Sequence, residues 1–158
     1  MLYSIIVLSF NKLAVTRACL TALVRESVLD GPAELIVVDN GSTDGSGPWL
    51  EAELPAVGRD AGLALHVIRN PANIGCSTAR NQALERARGT YAVFADNDVR
   101  PCAPDWLARL RMRIESTPHA GLAGGKLIYP WSPYPIQCAG VGISRRGHVC
   151  FRGRGEAR

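Results

Sequence analysis

Short apolar runs alternate along the chain with longer segments in which apolar residues recur at helical spacing. Four runs predict strands: residues 4–9, 34–39, 63–69 and 91–95. The intervening segments predict helices: residues 12–27, a short helix around Trp49, residues 73–88, and one that begins near Pro104. Because strands that alternate with helices form right-handed crossovers, we expect an α/β fold with a mostly parallel central sheet and helices on both faces.

Local signals refine the ends of these elements. Asn11 and Asn73 are predicted to cap the helices that follow them, and Gly89 is predicted to close the third helix at its C′ position. Beyond a predicted strand at residues 121–129 the composition changes, and residues 141–151 indicate a hairpin around Arg146-Gly147. We therefore expect a first domain over residues 1–130 and a hairpin with its tail over residues 131–158.

Polar side chains follow three of the predicted strands: Ser9-Phe10-Asn11, Asp39-Asn40-Gly41-Ser42 and Asp96-Asn97-Asp98. In parallel α/β sheets, ligands bind outside the carboxyl ends of the strands. The carboxylates of Asp96 and Asp98 are spaced so that their oxygens can converge, and a cation such as Mg²⁺ or Mn²⁺ would remove their repulsion. The alternative for this stretch is an Asp-Asn turn that caps the segment that follows, since both residue types favour turns. The agreement of three loops favours a ligand site.

Composition narrows the class of protein. The 158 residues are enough for one domain with a real core, and 47% hydrophobic against 20% charged residues indicates a folded globular chain. The formal net charge of +4 suits a small polyanionic ligand, and no nucleic-acid partner is predicted. Five widely spaced cysteines without a Cys-x-x-Cys pair predict reduced thiols in a cytoplasmic protein. No apolar run approaches membrane-spanning length, and no signal peptide is predicted.

Four ordered motifs carry a resemblance to a known family: residues 4–12 (SIIVLSFNK), 34–44 (ELIVVDNGSTD), 73–83 (NIGCSTARNQA) and the Asp-x-Asp at 96–98. Over roughly residues 3 to 130 the chain resembles the family 2 glycosyltransferases, which have a GT-A fold of the nucleotide-diphospho-sugar transferase type. The resemblance implies an enzyme that moves a sugar, with inversion, from a nucleotide-diphosphate sugar to a glycan, lipid or other hydroxyl acceptor. It also implies Mg²⁺ or Mn²⁺ as cofactor and residues 1–130 as the nucleotide-sugar-binding domain.

The same resemblance assigns roles to single residues. Asp39 would accept a hydrogen bond from the nucleobase imide, Asp96 would touch the ribose or sugar, and Asp98 would hold the cation on the diphosphate, with Asp96 as a second ligand. Further donor-site residues are implied in the loops and in the third helix: Ser9, Asn11, Asn40, Asn73, Gly75, Arg80 and Asn97. The free N–H groups at the start of that helix favour an anion. A plain helix cap at Asn11 and a solvated side chain at Arg80 stay as alternatives.

The family keeps its general base in an acidic motif of the acceptor-binding half, after the hairpin region. No candidate base is found here, since Glu156 lies in a basic, glycine-rich tail. We therefore expect the C-terminal part to be truncated, with a non-catalytic nucleotide-sugar-binding or interaction module as the alternative function. Apolar surface is expected to be exposed near four residues: Leu127, Ile128, Ile136 and Val141. Such surface is compatible with a homo-oligomer and with peripheral membrane association.

Three other α/β classes do not fit the loop after the first strand. Phospho-receiver domains carry an acidic pair there, haloacid-dehalogenase phosphatases an Asp-x-Asp, and nicotinamide-binding Rossmann domains a glycine-rich turn. Residues 9–11 (SFN) supply none of these.

Overall fold

A computed structural model describes residues 1–157 apart from the side chain of Asp60, and the last residue of the predicted tail, Arg158, lies outside the described residues. The chain divides into two units, Met1–Arg109 and Leu110–Arg158. No helix among the described residues is long and apolar enough to cross a membrane.

The first unit is built on a four-stranded sheet whose strands are all parallel and stand in the order β3-β2-β1-β4. The strands are β1 (Tyr3–Ser9), β2 (Ala33–Asp39), β3 (Ala64–Arg69) and β4 (Tyr91–Asp96). The helices are α1 (Leu13–Glu26), α2 (Ser46–Ala52), α3 (Leu54–Asp60), α4 (Cys76–Leu84) and α5 (Trp106–Glu115). The predicted parallel α/β architecture is confirmed.

Side chains on the two faces of the sheet enter separate cores, because successive residues of a strand point to opposite faces. One core joins alternate residues of β1 and β2 to α1, α2 and α3, and includes Ile5, Val7, Leu35, Leu20 and Leu50. The other joins Ile6, Ile36 and Val38 to Ala79 and Ala83 of α4. Small residues on α4 let that helix lie close to the sheet. Helices therefore cover both faces, as predicted.

Both predicted asparagine caps are wrong. The N-cap of α1 is Lys12, in a left-handed conformation without a side-chain cap, and the N-cap of α4 is Gly75 with φ 84°. The side chains of Asn11 and Asn73 bond instead to loop backbone, and Asn73 also to Asn40. Helix α4 ends at Leu84, short of the predicted end at residue 88.

Gly89 is needed for a reason other than the predicted helix C′ position. Its N–H donates to Ser4 Oγ at 2.7 Å, so the chain passes directly against the start of β1. A Cβ atom on Gly89 would collide with the backbone of Tyr3 and Ser4. Only a glycine allows this close approach of two backbones.

The continuous small and apolar run at residues 91–95 is typical of a buried strand, but β4 lies at the edge of the sheet and alternates between half-buried and exposed residues. Phe94 and Ala92 are exposed on the same face of β4. An edge strand has a neighbour on one side only, which leaves these side chains partly uncovered.

The second unit contains two small antiparallel sheets. Strand β5 (Leu127–Ile128) pairs with β6 (Ile136–Cys138), and β7 (Val141–Ile143) pairs with β8 (Val149–Phe151). The predicted hairpin over residues 141–151 is confirmed, whereas the predicted strand at 121–129 shortens to two residues.

The four apolar residues that were expected to be exposed in this unit differ in their burial. Leu127 and Val141 are exposed as expected, and Ile128 is half-buried. Ile136 is buried, so that expectation is wrong. The chain at Gly153–Glu156 folds over Ile136, whose backbone exchanges hydrogen bonds with Gly155 and Glu156.

Candidate functional site

The register of the parallel sheet brings the predicted polar loops to one edge. Ser9 pairs with Asp39 and Asp39 pairs with Arg69, so three polar residues lie in a row at the carboxyl ends of β1, β2 and β3. Asp96 ends β4 beside Leu8 of β1. The carboxyl edge of the sheet is therefore the candidate site.

At the centre of this edge, the carboxylate of Asp39 is fully buried and enclosed by protein groups. Its Oδ1 accepts a hydrogen bond from Ser42 N–H at 3.0 Å, and its Oδ2 accepts one from Arg69 Nε at 3.3 Å. Arg69 is itself 41% exposed and is held from outside by Glu51, 3.2 Å from Nη1. The guanidinium of Arg69 thus covers the carboxylate of Asp39, while part of the Arg69 side chain faces solvent.

Gly47 makes the ion pair between Asp39 and Arg69 sterically feasible. A Cβ atom at this position would lie 2.6 Å from Asp39 Oδ2 and 2.5 Å from Arg69 Nη2. Any larger residue at position 47 would occupy the space beside the carboxylate. The missing side chain at Gly47, near the start of α2, therefore leaves the space that the charged pair occupies.

Asn40 holds the turn between β3 and α4 against the end of β2. Its Nδ2 donates to Asn73 Oδ1 at 2.9 Å, and its Oδ1 accepts from Asn70 Nδ2 at 3.1 Å and from Ile74 N–H at 3.2 Å. Asn73 Oδ1 also accepts from Gly75 N–H at 2.9 Å. These bonds fix the turn that leads into α4, so the structure joins Asn40, Asn73 and Gly75 in one network.

Asn11 connects the loop after β1 to the loop after β2. Its N–H donates to Ser42 Oγ at 2.8 Å, and its Oδ1 accepts from Thr43 N–H at 2.9 Å. Asp44 adds a second connection by accepting from Leu13 N–H at 2.8 Å. The hydroxyl of Ser46, followed by the N–H of Leu13, holds the pKa of Asp44 below its ordinary value. This acid therefore stays ionised as an acceptor.

Ser9 and Asn97 meet at a shared hydroxyl inside the protein. Ser9 Oγ hydrogen-bonds Thr16 Oγ1 at 3.2 Å, and Asn97 Nδ2 donates to the same Thr16 oxygen at 2.7 Å. Both polar side chains thus bond to α1 and join the ends of β1 and β4 to that helix. Ser9 is fully buried.

Asp96 lies on the α4 side of the edge and is paired with Arg80. Arg80 Nη2 is 2.5 Å from Asp96 Oδ1, and the pair lines a cleft of about 460 Å³ together with Ser77, Asn81 and Phe94. The cleft begins one residue after the N-terminus of α4, where backbone N–H groups lack partners within the helix. A guanidinium and free N–H groups here suit an anionic or hydroxyl-rich ligand.

Asp98 lies on the other side of the edge, in a groove of about 1000 Å³ that α1 lines through Leu13 and Arg17. The groove also reaches Cys19, whose pKa is raised to about 11 by burial and then by the negative charges of Asp98 and Asp96. The two aspartates of the Asp-x-Asp therefore line separate hollows.

The charged side chains at this edge determine whether a divalent cation could bind there. Among the side chains that the structure describes, no group of three or more His, Cys, Asp and Glu residues could hold a metal ion. Asp96 is paired with Arg80, whereas Asp98 is exposed. Mg²⁺ is commonly held by one or two carboxylates together with substrate phosphates. The site therefore fits a cation that arrives with a diphosphate and meets Asp98, and not a cage made by the protein alone.

Comparison with known proteins identifies the family. The sequence model of "Glycosyl transferase family 2" matches residues 4–140. The chain belongs to glycosyl transferase family 2. Both the family and the GT-A-like fold that the motifs suggested are confirmed.

Solved structures of glycosyltransferases share this fold. The chain has a TM-score of 0.59 to TarS of S. aureus in complex with UDP-GlcNAc, at 28% identity, over 73% of this chain and 31% of that one. It has a TM-score of 0.57 to the mannosyltransferase PcManGT of Pyrobaculum calidifontis in complex with GDP-Man and Mn²⁺, at 28% identity, over 73% and 32% of the two chains.

Relatives with curated sequences are longer than this chain. It is 30% identical over 127 residues to a PGL/p-HBAD biosynthesis glycosyltransferase of Mycobacterium tuberculosis, over 80% of this chain and 47% of the relative. It is also 33% identical over 157 residues to the protein y4gI of Sinorhizobium fredii, over 96% of this chain and 16% of that relative. The chain thus spans less than half of the length of these two relatives.

Two residues of the candidate site, Arg69 and Gly47, were not predicted from the sequence. Arg69 ends the predicted third strand, and the strand order alone would have placed it at the edge beside Asp39. Gly47 carried no such signal, because its role depends on the approach of two side chains from other elements.

Proposed function

We propose that this chain binds the donor of a glycosyltransferase, which moves a sugar from a nucleoside diphosphate sugar to a hydroxyl acceptor with inversion. The buried Asp39 carboxylate under Arg69, at the carboxyl edge of a parallel sheet, is the observation that carries the proposal. A buried charge needs a compensating partner, and a carboxylate there is poised to accept a hydrogen bond. The family membership supports the reaction class.

The nucleobase contacts the pair of Asp39 and Arg69. An imide N–H of the base donates to the Asp39 carboxylate, and the N–H groups of Arg69 donate to the neighbouring carbonyl of the base. Because Arg69 covers Asp39, the guanidinium releases Oδ2 as the base arrives. Uracil offers an imide N–H beside a carbonyl, and guanine offers a ring amide N–H beside a carbonyl, so the pair admits either base.

The diphosphate and sugar lie across the edge toward β4. Arg80 and Asp96 face the ribose or sugar from the α4 side, where the guanidinium supplies positive charge and the carboxylate accepts from hydroxyl groups. Asp98 would hold a cation, Mg²⁺ or Mn²⁺, that accompanies the diphosphate. A bound cation would supply positive charge that stabilises the leaving diphosphate. Asn40, Asn73 and Asn11 keep the surrounding loops in place through their hydrogen bonds.

A donor-binding module without transfer is the second candidate function. It is favoured by the contacts of the acids near the edge, since the carboxylates of Asp39 and Asp96 are each already engaged by an arginine side chain. A transferase needs a base for the acceptor hydroxyl, and general-base catalysis contributes roughly 10²–10⁴-fold in rate.

Calorimetry with UDP and GDP, each with and without Mn²⁺, tests the binding part of the proposal. We expect Asp39→Asn to weaken binding of the preferred nucleotide by at least about tenfold, through loss of a charge-assisted hydrogen bond. The matched control is Asp105→Asn, which removes an exposed carboxylate paired with Arg109 away from the sheet edge. Equal affinities of the wild type and Asp39→Asn would contradict the assignment of the base site.

Release of nucleotide from UDP-GlcNAc and GDP-mannose, in the presence of sugar acceptors, tests the transfer part. Turnover by the wild type that Asp39→Asn abolishes supports the transferase. Binding without turnover, under conditions in which a longer family 2 enzyme is active, supports the donor-binding module.

A further inference from the structure

The loop that follows β4 carries Asp98 and lies along one side of α1. Three residues of that helix contact the loop or its ends: Thr16, Cys19 and Glu26. They are three and seven positions apart, so they lie on the same side of the helix. The contacts differ in kind before and after Asp98, and this difference suggests how the carboxylate is held.

Buried groups anchor the loop before Asp98. Asn97 Nδ2 donates to Thr16 Oγ1 at 2.7 Å, and Cys19 Sγ lies 3.5 Å from the backbone oxygen of Asp96. Thr16 and Cys19 are both buried, so these two anchors belong to the packed interior of the first unit. The chain is therefore fixed up to the residue that precedes Asp98.

An exposed ion pair anchors the loop after Asp98. Arg100 Nε donates to Glu26 Oε2 at 2.8 Å, and Arg100 Nη2 donates to Glu26 Oε1 at 2.6 Å. Two parallel hydrogen bonds between a guanidinium and a carboxylate fix the orientation of both groups as well as their separation. The Arg100 side chain is 72% exposed, so this anchor depends on the ion pair and not on burial.

Asp98 is exposed between these two anchors. The groove that it lines with α1 also contains Arg100 and Glu26, so the ion pair and the carboxylate share one hollow. Loops move more than the elements that they connect, and an exposed side chain follows the backbone that carries it. The position of the Asp98 carboxylate therefore depends on how firmly both flanks of the loop are held.

We propose that Glu26 and Arg100 are positioning residues that hold Asp98 where a cation and its diphosphate can reach it. The inference rests on the proposed function, in which Asp98 would hold the cation. A loop that is tied at one flank only samples several backbone positions, and the ligand must select the competent one. The ion pair fixes the second flank and so raises the fraction of chains that are ready to bind. Neither Glu26 nor Arg100 needs to touch the ligand.

The expected effect of the ion pair is bounded by its exposure. A well-formed exposed ion pair favours one conformation by up to about fivefold. Loss of the pair should therefore weaken cation-assisted binding by no more than this factor. A hydrogen bond from Arg100 directly to a charged ligand would be worth about tenfold or more. The size of the loss thus separates positioning from direct contact.

Calorimetric titration with UDP and GDP, each with and without Mn²⁺, tests the proposal. The Mn²⁺ stimulation is the ratio of the two affinities for one nucleotide. We expect Arg100→Gln and Glu26→Gln each to reduce this ratio by about three- to fivefold, because each removes the same anchor. A simple charge effect predicts changes in opposite directions, since Arg100→Gln removes a positive charge near the cation and Glu26→Gln a negative one.

The reversed pair supplies a rescue. Glu26→Arg combined with Arg100→Glu keeps the net charge and can form the same ion pair in the opposite sense. We expect this double variant to recover most of the Mn²⁺ stimulation that the single variants lose. A double variant as weak as the single ones, with an unfolding midpoint like that of the wild type, would count against the proposal.

Hydrogen exchange of the amides at residues 97–100 gives a second readout that needs no ligand. We expect faster exchange in both single variants, because one flank of the loop is released. The matched controls are Asp105→Asn and Arg109→Gln, which break another exposed ion pair, between residues four positions apart. Both controls should keep the exchange rates of this loop and the Mn²⁺ stimulation of the wild type.

The outcomes distinguish failure of this inference from failure of the proposed function. A wild-type chain without Mn²⁺ stimulation would overturn the role of Asp98, and the positioning role with it. Normal stimulation of the wild type that survives in both single variants, or that changes in opposite directions, would overturn the positioning role alone. Unchanged exchange in both single variants would do the same, and so would a loss of more than about tenfold in Arg100→Gln only.

Discussion

Arg69 covers the buried carboxylate of Asp39, with 3.3 Å between Nε and Oδ2. The two residues end neighbouring strands and are paired in register, so the sheet itself places them side by side. Glu51 holds the same guanidinium from the solvent side. The pair thus holds a hydrogen-bond donor and an acceptor side by side at the edge where we propose that the nucleobase binds. Because Gly47 lies against both residues, a substitution at position 47 tests the role of the pair.

We expect Gly47→Ala to lower nucleotide affinity by at least about tenfold. The added Cβ would lie 2.6 Å from Asp39 Oδ2, in the space that either Arg69 or a base N–H must occupy. Calorimetry with UDP and GDP measures the effect. Gly58→Ala in α3 is the matched control, because its Cβ would meet neighbours only at 3.6 Å or more. Equal losses in both variants would show a general effect on the fold.

Asp98 and Asp96 should respond differently to substitution, because they line separate hollows. We expect Asp98→Asn to abolish the Mn²⁺-dependent part of nucleotide binding. Asp96→Asn should keep the Mn²⁺ dependence but weaken binding of a nucleotide sugar more than binding of the free nucleotide. The reason is that Asp96 forms an ion pair with Arg80, and we propose that this pair contacts the sugar. Titrations of both variants with and without Mn²⁺ check this. Loss of the Mn²⁺ effect in both would mean that the two carboxylates share the cation.

Much of this edge could be predicted from the sequence because its signals are local. Each apolar run that ends in an acid or a serine predicts a strand and the place where it stops. Strands β1 and β2 end where expected, and β4 ends one residue later than expected. Parallel pairing then follows from the alternation with helices. The edge position of β4 had no such signal, since its neighbours in the sheet are set by topology and not by its own sequence.

The misassigned asparagines show where local signals fail. An asparagine that follows a strand can cap a helix or bond to a neighbouring loop, and both choices satisfy its side chain. At Asn11 and Asn73 the loops from β2 decide the outcome, through Thr43 and Asn40. Such contacts join residues about 30 positions apart, so they depend on the assembled sheet.

We expect Gly89→Ala to destabilise the fold by about 1–3 kcal/mol, the usual cost of overpacking. The added Cβ would collide with the backbone of Tyr3 and Ser4, which cannot move aside without disturbing β1. Urea unfolding measures the change in the free energy of unfolding. Gly124→Ala is the control, because nothing lies within 4 Å of its Cβ position. An unchanged midpoint for Gly89→Ala would contradict the close approach of the two backbones.

Glu34 lies near the opposite end of the sheet, where its carboxylate is fully buried. Ser4 Oγ donates to its Oε1 at 2.6 Å and Arg88 N–H donates at 2.7 Å, while His66 Nε2 lies 3.4 Å from Oε2. Burial raises the pKa of Glu34, but the hydrogen bonds from Ser4 and Arg88, with the charges of His66 and Arg88, outweigh burial and hold the pKa below its ordinary value.

This lowered pKa makes stability depend on pH in a defined direction. Above the ordinary pKa of 4.5, Glu34 is ionised in both states and its stabilisation is complete; below it the unfolded chain takes up the proton first, and stability is lost as the pH falls through the folded-state pKa. We expect Glu34→Gln to be less stable near neutral pH and to lose less stability on acidification, as measured by urea unfolding between about pH 3 and 7. Exposed Glu85→Gln is the control and should follow the wild type. The same acid dependence in Glu34→Gln and the wild type would show that other carboxylates control it.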